Sequence, residues 1–125
     1  MKTLLKLFVT KDDDDYILGP GRIRILRLVG EHGSLRKAAH SMGMSYRWAW
    51  GRIKKAEEAI GVPLLTDNPA SNLKVKKLTS DAWEIIDWFA RTEDDLRKVL
   101  KQAELTQPQA LKNGTPPTGE QAGKQ

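Results

Sequence analysis

Between positions 34 and 55 the sequence SLRKAAHSMGMSYRWAWGRIKK sets six cationic side chains, Arg36, Lys37, Arg47, Arg52, Lys54 and Lys55, among serines and aromatics. Clustered guanidinium and ammonium groups hold anions, and a guanidinium is also a planar fork that donates two parallel hydrogen bonds to one acceptor edge. Serine hydroxyls and the free amides of a helix start take phosphate oxygens. This is chemistry for holding a polyanion rather than for breaking bonds. The chain has no cysteine and only two histidines, His32 and His40, eight residues apart on what read as separate helical elements. No catalytic residue is assigned, and the absence of cysteine excludes a disulfide framework, a thiolate zinc site and an iron-sulfur cluster. Asp12 to Asp15 form an acidic run without the interspersed ligands and shaping glycine of a calcium loop, so they read as solvated. No metal and no cofactor are expected.

Those side chains need elements to position them. Residues 4 to 9 suit a short strand, and Gly19-Pro20-Gly21 then breaks the chain. Ile23, Leu26 and Val29 recur at helical spacing, predicting a helix over roughly 20 to 31 that stops at Gly30 and Gly33. Ser34 is placed to cap a short second helix, with Leu35, Ala38, Ala39 and Met42 inward and Arg36 and Lys37 outward; Gly43 closes it. Ser45 caps a longer helix running to about Ile60, stopped by Gly61 and Pro63. Its apolar stripe is Ala49, Trp50, Ile53, Ala56 and Ile60, which turns Arg47, Trp48, Gly51, Arg52, Lys54 and Lys55 outward.

Leu64 to Thr66 and Leu73 to Leu78 are strand candidates around the turn-rich connector 67 to 72, with Leu73, Val75 and Leu78 inward and Lys74 and Lys76 outward. Together they predict a β-hairpin. From Ser80 to about Leu105, Ala82, Phe89, Leu96 and Ala103 recur at sevenfold spacing, widened by Ile85, Ile86, Val99 and Leu100. A helix of that length needs a partner for its stripe, so Ala82, Ile85, Ile86, Phe89, Leu96, Val99 and Leu100 are the expected dimer interface. Residues 106–125, rich in Pro, Gln, Gly and Thr, are expected to be a disordered tail.

The fold class is therefore mainly α with a small β-hairpin wing: a winged helix-turn-helix over residues 1–79, then a dimerisation helix over 80–105. At 125 residues the chain suits one small domain, and its net charge of +5 is unevenly spread. Residues 21–65 carry nine Lys/Arg against three Glu, whereas 81–105 carry four against seven acids. The apolar start, Leu4 to Val9, is too short for a signal peptide or a membrane span, so a cytoplasmic protein with no membrane partner is expected.

Two short helices joined by a tight turn, the second opening with Ser45, Tyr46, Arg47 and Trp48, match what a DNA major groove about 12 Å wide admits. Arg47 suits guanine, and Tyr46 or Trp48 a thymine methyl or the sugar-phosphate chain. Arg52 and Lys55 lie better for phosphates, as do Ser34, Arg36 and Lys37 at the second helix start and Lys74, Lys76 and Lys77 on the wing. A winged-helix adaptor for protein contacts is the alternative, and the basic face argues against it.

Gly33-Ser34-Leu35-Arg36-Lys37-Ala38-Ala39, Met44-Ser45-Tyr46-Arg47-Trp48-Ala49-Trp50 and Ile53 resemble the N-terminal DNA-binding domain of the ModE family of molybdate-responsive regulators, whose signature is Ser-Tyr-(Lys/Arg)-x-Ala-Trp. Glu57 to Leu65 is similar to the corresponding stretch of LysR-type regulators. The resemblance covers roughly residues 4 to 105 and implies a homodimer that pairs through its long helix and presents two recognition helices to a palindromic operator. It departs at the wing, where Asp67 stands near an expected arginine and Pro69 stiffens the loop, and at Ala82, where a glycine is common. Oxyanion-sensing members carry a C-terminal β-barrel domain, which residues 106–125 do not build, so no direct oxyanion ligand is expected.

Overall fold

The computed structural model describes residues 1–12, 16–70 and 75–112. They fall into two compact units: residues Lys6–Glu93, and Met1–Leu5 together with the chain from Asp94 onward.

In the larger unit, β1 (Val9–Thr10) pairs antiparallel with β2 (Tyr16–Leu18), and their register is broken by an irregularity between Val9 and Thr10. The strand expected over 4 to 9 is thus confined to its last residue and the one after it. Residues 1–5 bond elsewhere: the Thr3 N–H donates to Glu104 Oε1 at 2.7 Å and its hydroxyl to the same oxygen at 3.1 Å. Helix α1 (Pro20–His32) begins with proline in its first turn, where no intrahelical N–H is needed, and ends on Gly33 in the left-handed region. Gly30 does not stop it. The Trp83 ring lies so close that a Cβ on Gly30 would come within 2.6 Å of Cη2.

Helix α2 (Leu35–Ser41) and helix α3 (Tyr46–Ile60) start as the serines predict: Ser34 Oγ accepts from the Lys37 N–H at 3.1 Å, and Ser45 Oγ from the Trp48 N–H at 3.1 Å. Gly43, at φ 68°, makes the turn between them. Strands β3 (Leu65–Asp67) and β4 (Lys76–Leu78) form the antiparallel hairpin, with Leu65 opposite Leu78 and Asp67 opposite Lys76. Both leucines are buried, which anchors the hairpin base in the core. Leu73 and Lys74, at the expected start of the second strand, lie outside the described residues, as do Asp13, Asp14 and Asp15.

One core joins these elements. Ile23, Leu26 and Val29 of α1, Leu35 and Ala38 of α2, Ile53 and Ala56 of α3, Leu64, and Ala82 and Phe89 of helix α4 (Ser80–Leu105) are all buried in it. Ala82 and Phe89 are 0% exposed within the single chain, which corrects their assignment to a dimer interface. Sevenfold spacing marks any buried stripe, and here its first half, Ala82 and Phe89, faces the chain's own helices. For the same reason the first part of α4 belongs to the larger unit, and the units divide after Glu93 rather than before Ser80. Trp50 is a second correction. It is 38% exposed, because the core line of α3 is Ala49, Ile53 and Ala56, joined by Glu57.

In the smaller unit, Gln107 is buried, accepting from the Met1 ammonium at 3.2 Å and donating to the Met1 carbonyl at 2.6 Å. Helix α5 (Gln109–Lys112) follows, so the expected disorder does not start at residue 106. Residues 113–125 lie outside the described residues.

Candidate nucleic-acid interface

Helix α3 presents its outward face beside the N-terminal turn of α2. Ser45, Arg47, Trp48 and Lys55 are exposed and Gly51 and Arg52 half-exposed, and these six residues line one shallow concavity. The Arg52 guanidinium lies 4.5 Å over the Trp48 ring, and Trp48 itself is 54% exposed. The stack holds Arg52 along the helix surface and leaves the indole edge in solvent. At the start of α3, the Arg36 guanidinium from α2 sits 4.5 Å over the half-buried Tyr46 ring and ties the two helices of the motif together. Lys37 is exposed one position along. Of the residues expected at this surface, Ser34 is withdrawn from it, since its side chain is buried and its hydroxyl is engaged in capping. Trp50 joins the outer surface, with Lys54 Nζ 5.2 Å from its ring.

The wing brings a smaller positive surface than the spacing suggested. Lys76 Nζ bonds Asp67 Oδ1 at 2.8 Å across the hairpin, and that bond raises the lysine above its ordinary pKa and fixes it as a cation with a local counter-charge. Lys77 is exposed on the neighbouring position, and Lys74 lies outside the described residues.

Two groups that the sequence did not single out position this surface. Glu57, buried at the far end of α3, accepts from the backbone N–H groups of Leu64 at 2.6 Å and Leu65 at 3.0 Å, and from Lys54 Nζ at 2.9 Å. Burial pushes its carboxyl up, but the Lys54 bond and the two backbone N–H bonds outweigh burial and hold it below its ordinary pKa. Glu57 therefore locks α3 to the start of the hairpin. Arg22, also buried, donates to the Ile17 carbonyl at 2.7 Å and lies 4.4 Å over the Tyr16 ring, joining α1 to β2. Desolvation lowers its pKa from the ordinary value. Composition gave no sign of either role, since a buried charge and a solvated one have the same letter.

On α4, Ile85 and Ile86 are half-buried against the core, and Leu96 and Leu100 are half-exposed farther along. Val99 is 63% exposed. Trp83 and Trp88 are also exposed. Among the described residues there is no cluster of His, Cys, Asp or Glu able to hold a metal ion, and no helix long and apolar enough to cross a membrane.

Comparison with known proteins agrees with this geometry at the level of the motif. Residues 21–82 match the family of bacterial regulatory helix-turn-helix proteins, lysR family. The chain is similar to two molybdenum-pterin-binding proteins of Rhodobacter capsulatus: MopA, 29% identical over 84 residues, and MopB, 26% identical over 88. The matches cover 66% and 70% of this chain but only 32% and 33% of those proteins, so the chain spans about a third of their length. Among solved structures, a transcriptional regulator of the LysR family from Eggerthella lenta DSM 2243 matches with a TM-score of 0.49 and 20% identity, over 57% of this chain and 96% of that one. Residues 21–82 are thus similar to the lysR-family helix-turn-helix, and the chain is more weakly similar to molybdenum-pterin-binding proteins.

Proposed function

We propose that this chain is a sequence-specific, double-stranded-DNA-binding transcriptional regulator of the ModE/LysR-like type, acting in the cytoplasm as a homodimer on an inverted repeat and catalysing no reaction. The observation that carries the reading is the exposed face of α3, where Arg47, Trp48, Arg52 and Lys55 surround a shallow concavity beside Arg36 and Lys37 of α2. An α-helix with cations along one face fits the major groove, with residues near its start at base edges and those farther along at phosphates. Arg47 takes the base-reading role, Tyr46 and Trp48 flank it, and Arg36, Lys37, Arg52, Lys55 and Lys77 neutralise backbone charge. Lys76 extends that track along the hairpin.

Pairing is assigned to α4. Its 26 residues span about 39 Å at 1.5 Å per residue, more than one small core covers. Val99 is the exposed apolar group of the expected seam, flanked by Leu96 and Leu100.

The test is selection of bound duplexes from a random pool, with and without molybdate and tungstate. The expected result is an inverted repeat with half-sites one or two helical turns apart, the same in both conditions. Binding that is weak and indifferent to sequence even at low salt would overturn the reading in favour of an adaptor.

A further inference from the structure

The glycine in the middle of α3 has no folding reason to be there. Gly33, Gly43 and Gly61 hold positive φ, and a Cβ on Gly30 would strike Trp83. Gly51 lies inside a regular helix, and a Cβ built on it meets nothing within 4 Å. A helix-interior glycine costs stability relative to alanine, because its backbone is freer in the unfolded chain. Among the described residues, no neighbour of Gly51 accounts for this cost.

Gly51 sits roughly opposite the buried line Ala49, Ile53 and Ala56, in the floor of the concavity of about 280 Å³ walled by Ser45, Arg47, Trp48, Arg52 and Lys55. The Arg52 guanidinium covers one face of the Trp48 ring, so the indole and the bare α3 backbone form the apolar part of the wall. In the major groove the apolar group that projects from a base edge is the thymine 5-methyl.

Resting on the DNA-binding reading above, we propose that Gly51 is a specificity-determining position: its missing side chain lets α3 seat close to the bases and receives a thymine methyl against Trp48, beside the base pair read by Arg47. A side chain at position 51 would fill the notch and hold the helix off the groove floor.

Each thymine of the selected operator is replaced in turn by deoxyuridine, which removes only the methyl, and each duplex is titrated with the wild-type protein and with Gly51→Ala and Gly51→Leu. Wild type should lose about fourfold in affinity at one thymine per half-site, the worth of one buried methyl. Gly51→Leu should bind about tenfold more weakly and no longer distinguish thymine from uracil there. Gly51→Ala should melt no lower than wild type, since the added Cβ meets no neighbour. Wild-type binding that is selective yet indifferent to uracil at every position, or a Gly51→Leu protein that keeps wild-type affinity and discrimination, overturns the notch and leaves the DNA-binding reading standing. A wild-type protein without sequence preference overturns both.

Discussion

Glu57 shows how one side chain outside the proposed DNA surface ties α3 to the start of the hairpin. Replacing it with alanine leaves the Leu64 and Leu65 N–H groups buried without their acceptor, and should cost about 2–4 kcal/mol of stability in thermal or urea denaturation. Glu57→Gln keeps an acceptor oxygen and loses the ion pair with Lys54, so its cost should be about 1 kcal/mol. The carboxyl is held below its ordinary pKa, so its contribution is present above the unfolded-state pKa and is lost as pH falls through the folded-state value. Urea midpoints followed from neutral to acid pH should therefore fall more steeply for wild type than for Glu57→Gln, and parallel curves would contradict the linkage. At the DNA surface, Arg47→Ala should relax preference at one base pair by about 1–3 kcal/mol, whereas Lys77→Ala should weaken all sequences alike. Lys76→Ala should lose less than Lys77→Ala, because Asp67 already balances Lys76. Equal losses from the two lysine variants would show that the hairpin ion pair opens on DNA.

Among the elements, α2 and α3 were the most legible. Their caps are local: a serine hydroxyl and an N–H three residues later meet through backbone geometry alone, so Ser34 and Ser45 announced both helix starts. Ser34→Ala and Ser45→Ala should each lower stability by about 1 kcal/mol in denaturation. Helix α4 was legible in extent but not in what its faces touch. A sevenfold repeat reports that a stripe is buried and not by whom, and Ala82 and Phe89 turned out to face the chain's own core. Phe89→Ala should accordingly destabilise the folded domain by about 3–5 kcal/mol, and a change of much under 1 kcal/mol would show that the residue is not a core anchor. Trp50 failed for a related reason. It borders the apolar stripe of α3, and the space available there admits alanine at 49 and 56 but leaves the indole outside, against Lys54.

For the molecule as a whole, the proposed function gives binding to the basic stretch 21–65 and pairing to the acidic stretch 81–105. If the cations of α2 and α3 neutralise phosphates, the logarithm of the binding constant should fall linearly with the logarithm of salt, with a slope of about −0.9 per phosphate contact. Removing Lys55 or Arg52 should make that slope shallower by about one unit each. Pairing is tested apart from DNA. Wild type should sediment as a dimer at micromolar concentration, and Val99→Asp, at an exposed position, should sediment as a monomer with its thermal stability in the monomeric state unchanged. A wild-type monomer would remove α4 from the pairing role.

The sequence by itself determined the local features: the two caps, the glycine turns at Gly33, Gly43 and Gly61, the presence of the hairpin, and the concentration of positive charge on residues 36 to 55. These depend on neighbours a few residues away, where backbone geometry leaves few choices. Only the tertiary structure decided which apolar stripe meets which. It moved Phe89 and Ala82 into the core and Trp50 out of it, set Asp67 against Lys76, and buried Glu57 beneath the start of the wing. Each of those outcomes depends on residues from separate elements competing for a finite core volume, or on a charge finding partners far along the chain, and neither is written in the spacing of one segment.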